Sequence, residues 1–582
     1  MPSVGPGGMA PSIEPIGPLR TPDIVSGGIN ADDGAGRDAG LPLATVRRNN
    51  WQANGDAMLQ PLAWILLAGL VSGCAAEAIA DAPTEVKIDA GALRGVAGDG
   101  VVAFKGIPYA QAPTGALRWR APQPVRPWSG MRDASRFGAD CMQKPFGGDA
   151  APLGVTPAED CLYVNVWRPA RGGTALLPVM VWIYGGGFVN GGSSPAIYDG
   201  SAFARKGVIL VSLNYRVGRF GFFAHPALTT AQAGEVLGNY GYMDQLAALR
   251  WVRRNIGAFG GDPGNVTLFG ESAGGASVLA LMTTPLAQGL FQKAIVESGG
   301  GRGPLFPMRE LGEDRPGLPS AESAGLAFAR GAGIEGADAA ALASLRALPA
   351  ERVVDGLNMG AMSGLTYVGG PIRDGVIVTD TPDAVIARGA QLKVPVMIGA
   401  TSADLSLVPA GSREALFALF GAQAPRAQAL YDPSGKTDAW TLAGVIGADR
   451  TMVEPARQVA RLVAAQGLPA WIFRFSYVAE SLRQEGRGAT HSSEIPYVFD
   501  TLQARYGSRT TDADEAAAQA ALGYWVAFAR QGDPNGQGLP HWPRASATND
   551  FLLDFTNGGP VPGADPWKAR LDLIEESAGQ VR

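Results

Sequence analysis

Val266-Thr267-Leu268-Phe269-Gly270-Glu271-Ser272-Ala273-Gly274-Gly275-Ala276 joins an apolar run to a helix-favouring stretch. The spacing predicts a strand, a sharp Gly-x-Ser-x-Gly turn and a helix. Such a turn lifts a serine hydroxyl into the open as a nucleophile. Side chains at the two glycines would strike the neighbouring strand and helix. The pentapeptide alone is weak evidence in a chain with 80 Gly. Residues 321–325, Ala-Glu-Ser-Ala-Gly, nearly repeat it, without the first glycine and without a preceding strand. Its weight comes from what accompanies it.

A nucleophilic serine needs a base, and the chain has 3 His. His225 precedes the serine and is followed by Pro226. His541 is hemmed by Pro540 and Pro543. His491 lies in Gly488-Ala489-Thr490-His491-Ser492-Ser493-Glu494, a small-residue loop after the strand-like run Trp471-Ile472-Phe473-Arg474-Phe475. In serine hydrolases built on an α/β sheet the chain order is Ser, then Asp or Glu, then His. Order and setting therefore select His491 as the general base for Ser272.

The remaining member is a carboxylate between them at a strand end. Val394-Pro395-Val396-Met397-Ile398-Gly399 reads as a buried parallel strand. Asp404 follows it in Thr401-Ser402-Ala403-Asp404, so Asp404 is the expected acid that fixes the imidazole tautomer. Asp374, Asp380 and Asp383 are its rivals. Developing negative charge on a carbonyl also needs donors. The apolar run 178–184 ends in Gly185-Gly186-Gly187-Phe188. A glycine triplet lets N–H groups converge on one point, so Gly186, Gly187 and the N–H of Ala273 are the expected oxyanion hole. A phosphate cradle would need Lys-Ser/Thr or a helix start next, and Phe188-Val189-Asn190 supplies neither.

These residues, taken with their surroundings, resemble the type-B carboxylesterase family, which includes cholinesterases and bacterial para-nitrobenzyl esterases. Two stretches carry most of the resemblance. One is Phe259-Gly260-Gly261-Asp262-Pro263-Gly264-Asn265 running into the serine turn, and the other is Glu159-Asp160-Cys161-Leu162-Tyr163-Val164-Asn165-Val166-Trp167-Arg168-Pro169. Further matches extend from Phe104-Lys105-Gly106 through Gly238-Asn239-Tyr240-Gly241 to Gly532-Asp533-Pro534-Asn535, so the resemblance covers roughly residues 84 to 570. It implies an α/β-hydrolase fold and ester hydrolysis with Ser272 as nucleophile, His491 as base and Asp404 as acid. The family's Asp/Glu-Gly pair is Asp404-Leu405 here, which asks the acid loop to come closer to His491. Glu271 resembles a glutamate that lines the cholinesterase gorge, and Glu494 a buried glutamate three places after the histidine. Both are expected behind the reacting groups. The resemblance also pairs Cys161 with an upstream cysteine, which here is Cys141. Some relatives of the cholinesterases lack the serine and act in adhesion or binding. An amidase, thioesterase or carbamate hydrolase would use the same residues as an esterase.

A Cys141–Cys161 bridge requires an oxidising compartment. It leaves Cys74 of the 3 Cys. Residues 62–70 form an apolar run too short to span a bilayer and suited to the core of a signal peptide. Val71-Ser72-Gly73-Cys74 then resembles a bacterial lipobox with Cys74 as the lipidated residue. The expectation is an exported, periplasmic or membrane-anchored lipoprotein, with plain cleavage near Ala75-Ala76 and a secreted enzyme as the alternative. Arg47-Arg48 lies far upstream for a compact n-region, and Met58 is a second candidate start. The expected segments are 1–57 disordered or preceding the true start, 58–74 signal peptide with lipobox, 75–83 tether, and 84–575 catalytic domain.

At 582 residues a single large α/β domain with insertions fits. Apolar runs such as 208–211 alternate with helical stretches such as 245–251, which argues a mostly parallel sheet flanked by helices. Residues 86–105, with a Gly98-Asp99-Gly100 turn, predict a small N-terminal antiparallel hairpin. The net charge of -5 is spread evenly, so nucleic acid is not an expected partner. Cys-x-x-Cys and His-Glu-x-x-His are absent and no dinucleotide pattern follows a strand, so neither metal nor cofactor is expected. The expected partner is a small-molecule ester, and oligomeric state is not legible. Pocket walls are expected from loops 141–158, 299–320, 355–375 and 405–440. Phe188, Tyr242 and Trp182 are placed either beside the reacting groups or in the core.

Overall fold

The computed structural model describes residues 83–578 apart from 172, 174, 304–306, 363–365 and 410. The expected leader segments and Cys74 lie outside the described residues. In chain order the strands are β1 (Glu85–Ile88), β2 (Gly91–Arg94), β3 (Val96–Gly98), β4 (Val101–Pro108), β5 (Met131–Asp133), β6 (Tyr163–Pro169), β7 (Leu177–Ile183) and β8 (Ile209–Leu213). They continue with β9 (Phe222–Phe223), β10 (Gly238–Asn239), β11 (Gly261–Glu271), β12 (Lys293–Glu297), β13 (Val396–Thr401), β14 (Ala470–Phe475), β15 (Phe551–Thr556) and β16 (Gly559–Ala564).

Among the described residues, 11 strands form one sheet in the order β16-β15-β14-β13-β12-β11-β7-β8-β6-β4-β3. From β15 to β8 neighbours are parallel. Both margins are antiparallel: β16 on β15, and β6, β4 and β3 beyond β8. The parallel centre follows from composition. β8, β12, β13 and β14 are buried at every position. Strands covered on both faces by helices read as continuous apolar runs rather than alternating ones. Helices Tyr240–Asn255, Ala273–Thr283, Glu454–Ala465 and Asp512–Gln531 lie between successive strands.

The expected N-terminal hairpin is divided between two sheets. β1 and β2 pair antiparallel and, with β5 parallel to β2, form a separate three-stranded sheet. The turn at Asp99-Gly100 instead joins β3 to β4, which extend the large sheet. β4 carries buried Val101, Val102, Phe104 and Ile107, enough apolar surface to join the main core.

Successive strands deliver the residues of interest to one edge of the sheet. Ser272 follows β11, Ser298 follows β12, Asp404 follows β13 and His491 lies in the loop after β14. These four strands are consecutive neighbours, so their C-terminal ends converge, as in open α/β sheets generally.

Candidate active site

The turn after β11 forces Ser272 into φ 57°, ψ -122°, a conformation side chains rarely adopt. Close packing explains both flanking glycines. A Cβ at Gly274 would lie 2.0 Å from the carbonyl oxygen of Ile183, and one at Gly270 would lie 2.6 Å from the same atom. The Gly-x-Ser-x-Gly turn is thus pressed against the end of β7, and only glycine fits. Ser272 keeps 8% of its surface exposed.

Ser272 Oγ lies 2.9 Å from His491 Nε2, and His491 Nδ1 lies 2.6 Å from Asp404 Oδ1. The structure therefore brings together the three residues expected from sequence. Their separations suit a hydroxyl, an imidazole and a carboxylate in a line, with Nδ1–H donating to Asp404 and the Nε2 lone pair facing the hydroxyl. The loops bearing Asp404 and His491 are joined through the backbone: Ala403 bridges Thr490 in parallel, and Ala403 N–H donates to Ala489 O at 2.8 Å. This contact draws the shorter aspartate up to the ring. The rival carboxylates are engaged elsewhere. Asp374 accepts from the N–H groups of Val376, Ile377 and Val378. Asp380 pairs with Arg373 and Arg388, and Asp383 accepts from Gly303 and Thr381. Of the other histidines, His225 is buried and accepts from Ala227 N–H through Nδ1, while His541 is exposed.

Asp404 is fixed on its far side as well. Its Oδ2 accepts from Ser298 Oγ at 2.7 Å and from Thr401 N–H at 2.8 Å, and its Oδ1 from Leu405 N–H at 2.7 Å. Burial would raise its pKa, but the His491 charge and these donors outweigh burial and hold it below the usual carboxylate range. At His491, burial favours the neutral ring, yet the charge of Glu271, then the charge and hydrogen bond of Asp404, prevail and raise its pKa above that of a free imidazole. Glu271 Oε1 lies 3.2 Å from His491 Nε2 and accepts from Ser492 Oγ at 2.6 Å. Burial above all raises the Glu271 pKa. Thus Glu271 touches the imidazole directly, closer than its sequence-based placement behind the reacting groups.

Glu494 is fully buried, and neither carboxyl oxygen has a hydrogen-bond partner among the described residues. Burial, together with the charges of Glu271 and Glu297, raises its pKa far above the ordinary carboxyl range. Glu297 accepts from Trp525 Nε1 at 2.8 Å and is pushed up by burial to about 8. Sequence reading missed Glu297, Ser298 and Ser492. The run Lys293-Ala294-Ile295-Val296 ending in Glu-Ser-Gly offered the same strand-end signal that selected Asp404.

Gly186 (φ 102°) and Gly187 (φ 61°) turn the chain after β7, and their N–H groups donate to none of the described residues. Ala273 opens the helix Ala273–Thr283, at a position whose N–H has no intrahelical acceptor. The sulfur atoms of Met359 and Met362 crowd Gly187: a Cβ there would lie 2.9 and 2.6 Å from them. A narrow apolar cavity of about 60 Å³ lies against the same helix, between Phe188, Tyr242, Leu279, Met308 and Ile377. Phe188 and Tyr242 therefore line a pocket. Trp182 is core, packed against Phe269 and Phe499 at 4.8 and 4.9 Å between centroids. Of the expected wall segments, 299–320 and 355–375 contribute to this cavity and 141–158 lines another. Cys141 and Cys161 form a disulfide. Among the described residues no cluster of His, Cys, Asp and Glu could hold a metal ion, and no helix is long and apolar enough to cross a membrane.

The Carboxylesterase family model matches residues 82–417 and 431–563. Fumonisin B1 esterase of Sphingopyxis macrogoltabida is 35% identical over 528 residues, covering 87% of this chain and 93% of the relative. Para-nitrobenzyl esterase of Bacillus subtilis (strain 168) is 35% identical over 472 residues, covering 78% and 91%. The medium-chain fatty acyl-CoA hydrolase precursor of Anas platyrhynchos is 32% identical over 541 residues, covering 85% and 93%. A large, mostly parallel sheet whose strand ends gather a serine, a histidine and an aspartate agrees with those matches, and the chain belongs to the carboxylesterase family.

Proposed function

We propose that the protein is a serine carboxylesterase that cleaves carboxylic esters through an acyl-enzyme. The observation that carries the reading is the line from Ser272 Oγ to His491 Nε2 at 2.9 Å and from His491 Nδ1 to Asp404 Oδ1 at 2.6 Å. His491 takes the Ser272 proton as the oxygen attacks the ester carbonyl. The oxyanion is received by the N–H groups of Gly186, Gly187 and Ala273. Removing one such donor typically costs about 3 kcal/mol in the transition state. The imidazolium, stabilised by Asp404, returns its proton to the departing alcohol. Water then enters, gives a proton to His491 and attacks the acyl carbonyl, releasing the acid and restoring Ser272.

The apolar cavity beside the helix Ala273–Thr283 supports an acyl or alkyl group as one arm of the ester. The disulfide supports residence in an oxidising compartment, reached by export with Cys74 as the lipid anchor. Incorporation of labelled palmitate, lost in Cys74→Ser, tests the anchor.

A fluorophosphonate probe tests the mechanism. One equivalent bound at Ser272, with loss of para-nitrophenyl ester turnover, is the expected result. Ser272→Ala is expected to bind none and to turn over none. Turnover retained by Ser272→Ala ends the proposal. Rates on matched esters, amides, thioesters and carbamates decide the acyl class.

A further inference from the structure

Gln143, beside the disulfide, and Asn190, within the turn, hold the stretch that carries Gly186 and Gly187. Gln143 is two places from Cys141 and 4% exposed, and its amide is fully used. Nε2 donates to Cys141 O at 2.9 Å and to Gly191 O at 2.6 Å. Oε1 accepts from Asn190 Nδ2 at 3.0 Å and Gly191 N–H at 2.9 Å. Asn190 closes the glycine turn, since its own N–H donates to Gly186 O at 2.9 Å and Val189 N–H joins at 3.1 Å. The Asn190 side chain reaches both ways. Nδ2 also donates to Lys144 O at 2.6 Å, and Oδ1 accepts from Met359 N–H at 2.8 Å. One residue before the disulfide, Asp140 accepts from Ser193 N–H at 3.0 Å and from Ser194 Oγ.

We propose that Gln143 is a positioning residue for the oxyanion-binding turn, coupling the disulfide-closed segment to Gly186 and Gly187 through Asn190. The inference rests on the serine-esterase reading above. Its physical basis is geometric. The turn hangs beyond the end of β7, and the N–H groups of Gly186 and Gly187 are tied to none of the described residues. Their aim is therefore set by the anchors on the far side of the turn, at Asn190 and Gly191, together with Phe188 O, which accepts from Gly218 N–H at 2.6 Å. A buried amide that spends its donors and acceptor on the Cys141 and Gly191 backbones and on the Asn190 side chain allows little sliding between the two segments. Displacing a reacting centre by about 1 Å can cost about 100-fold in rate.

Gln143→Ala removes the clamp. Gln143→Glu keeps the acceptor for Asn190 and Gly191 but sets a carboxylate oxygen against the carbonyls of Cys141 and Gly191. Both are expected to lower kcat by about 10- to 100-fold with little change in KM. The Ki of an aryl trifluoromethyl ketone, whose adduct with serine carries an oxyanion, is expected to rise by the factor that kcat/KM falls. Rates are normalised to sites labelled by fluorophosphonate, so loss of folded protein does not imitate the effect. Gln143→Ala and Asn190→Ala combined are expected to cost no more than the worse of the two. Wild-type kcat per labelled site, a loss confined to KM, or additive effects would overturn the clamp while leaving the esterase reading intact. Wild-type protein that takes no label would remove the reading beneath it.

Discussion

Ser492 donates its hydroxyl to Glu271 at 2.6 Å, so the residue after His491 is tied to the residue before Ser272. The same carboxylate oxygen lies 3.2 Å from His491 Nε2. The His491 loop is thereby fastened to the Ser272 turn by a group that also raises the pKa of the imidazole.

Glu271→Gln keeps most of the shape and removes the charge. The His491 pKa then falls, and the neutral ring needed as base persists to lower pH. The acid limb of the kcat/KM profile for a para-nitrophenyl ester is expected to shift to lower pH. An unmoved limb or a shift to higher pH contradicts the assigned role.

Asp404→Asn is expected to cut kcat by about four orders of magnitude through loss of the correct tautomer. Asp383→Asn, whose partners are Gly303 and Thr381, is expected to stay within about tenfold of wild type. Initial rates under saturating ester separate the two. If the order of severity is reversed, the acid is misassigned.

Ser298→Ala removes one of the two donors on Asp404 Oδ2, leaving Thr401 N–H. A hydrogen bond to a charged group is worth about 1.5–3 kcal/mol, so kcat is expected to fall by about 10- to 100-fold. Ser298→Thr, which keeps a hydroxyl, is the matched variant in which recovery is measured.

Glu494→Gln tests the buried carboxyl. The folded protein holds this proton where the unfolded chain releases it, so folding binds more protons as pH rises and stability falls. The contribution is intact below the ordinary carboxyl pKa. Above it, the loss runs at about 1.4 kcal/mol per pH unit until the folded group ionises. The Tm of Glu494→Gln relative to wild type is expected to climb as pH is raised through neutrality. A constant difference across that range refutes the buried-proton account.

Replacing both cysteines, Cys141→Ser with Cys161→Ser, opens a loop with a sequence separation of 20. Chain entropy sets the expected loss at about 3 kcal/mol, read from urea unfolding.

The centre of the fold was legible because parallel strands announce themselves as apolar runs: residues 266–269, 394–399 and 471–475 each fall in or against the strands observed. Ser272, His491 and Asp404 were legible for a related reason, since each follows such a run. The sheet margins were not. Whether the hairpin of β3 and β4 joins a small sheet or the large one depends on the pairing of β4 with β6, far along the chain. Ser298 and Ser492 carry no motif, and their contacts with Asp404 and Glu271 exist only once separate strand ends are adjacent. Trp182 and Tyr242 look alike in sequence, yet one fills the core and the other faces a cavity.

The backbone link between Ala403 and the segment Ala489-Thr490 makes the imidazole of His491 and the carboxylate of Asp404 a single mechanical part. A displacement of this loop against the tie from Ser492 to Glu271 would then change the gap to Ser272 while the imidazole and its carboxylate travel together. Reactivity in a fluctuating molecule is consequently governed by one separation instead of two, and recruitment of new substrates by reshaped rims need preserve only that single distance.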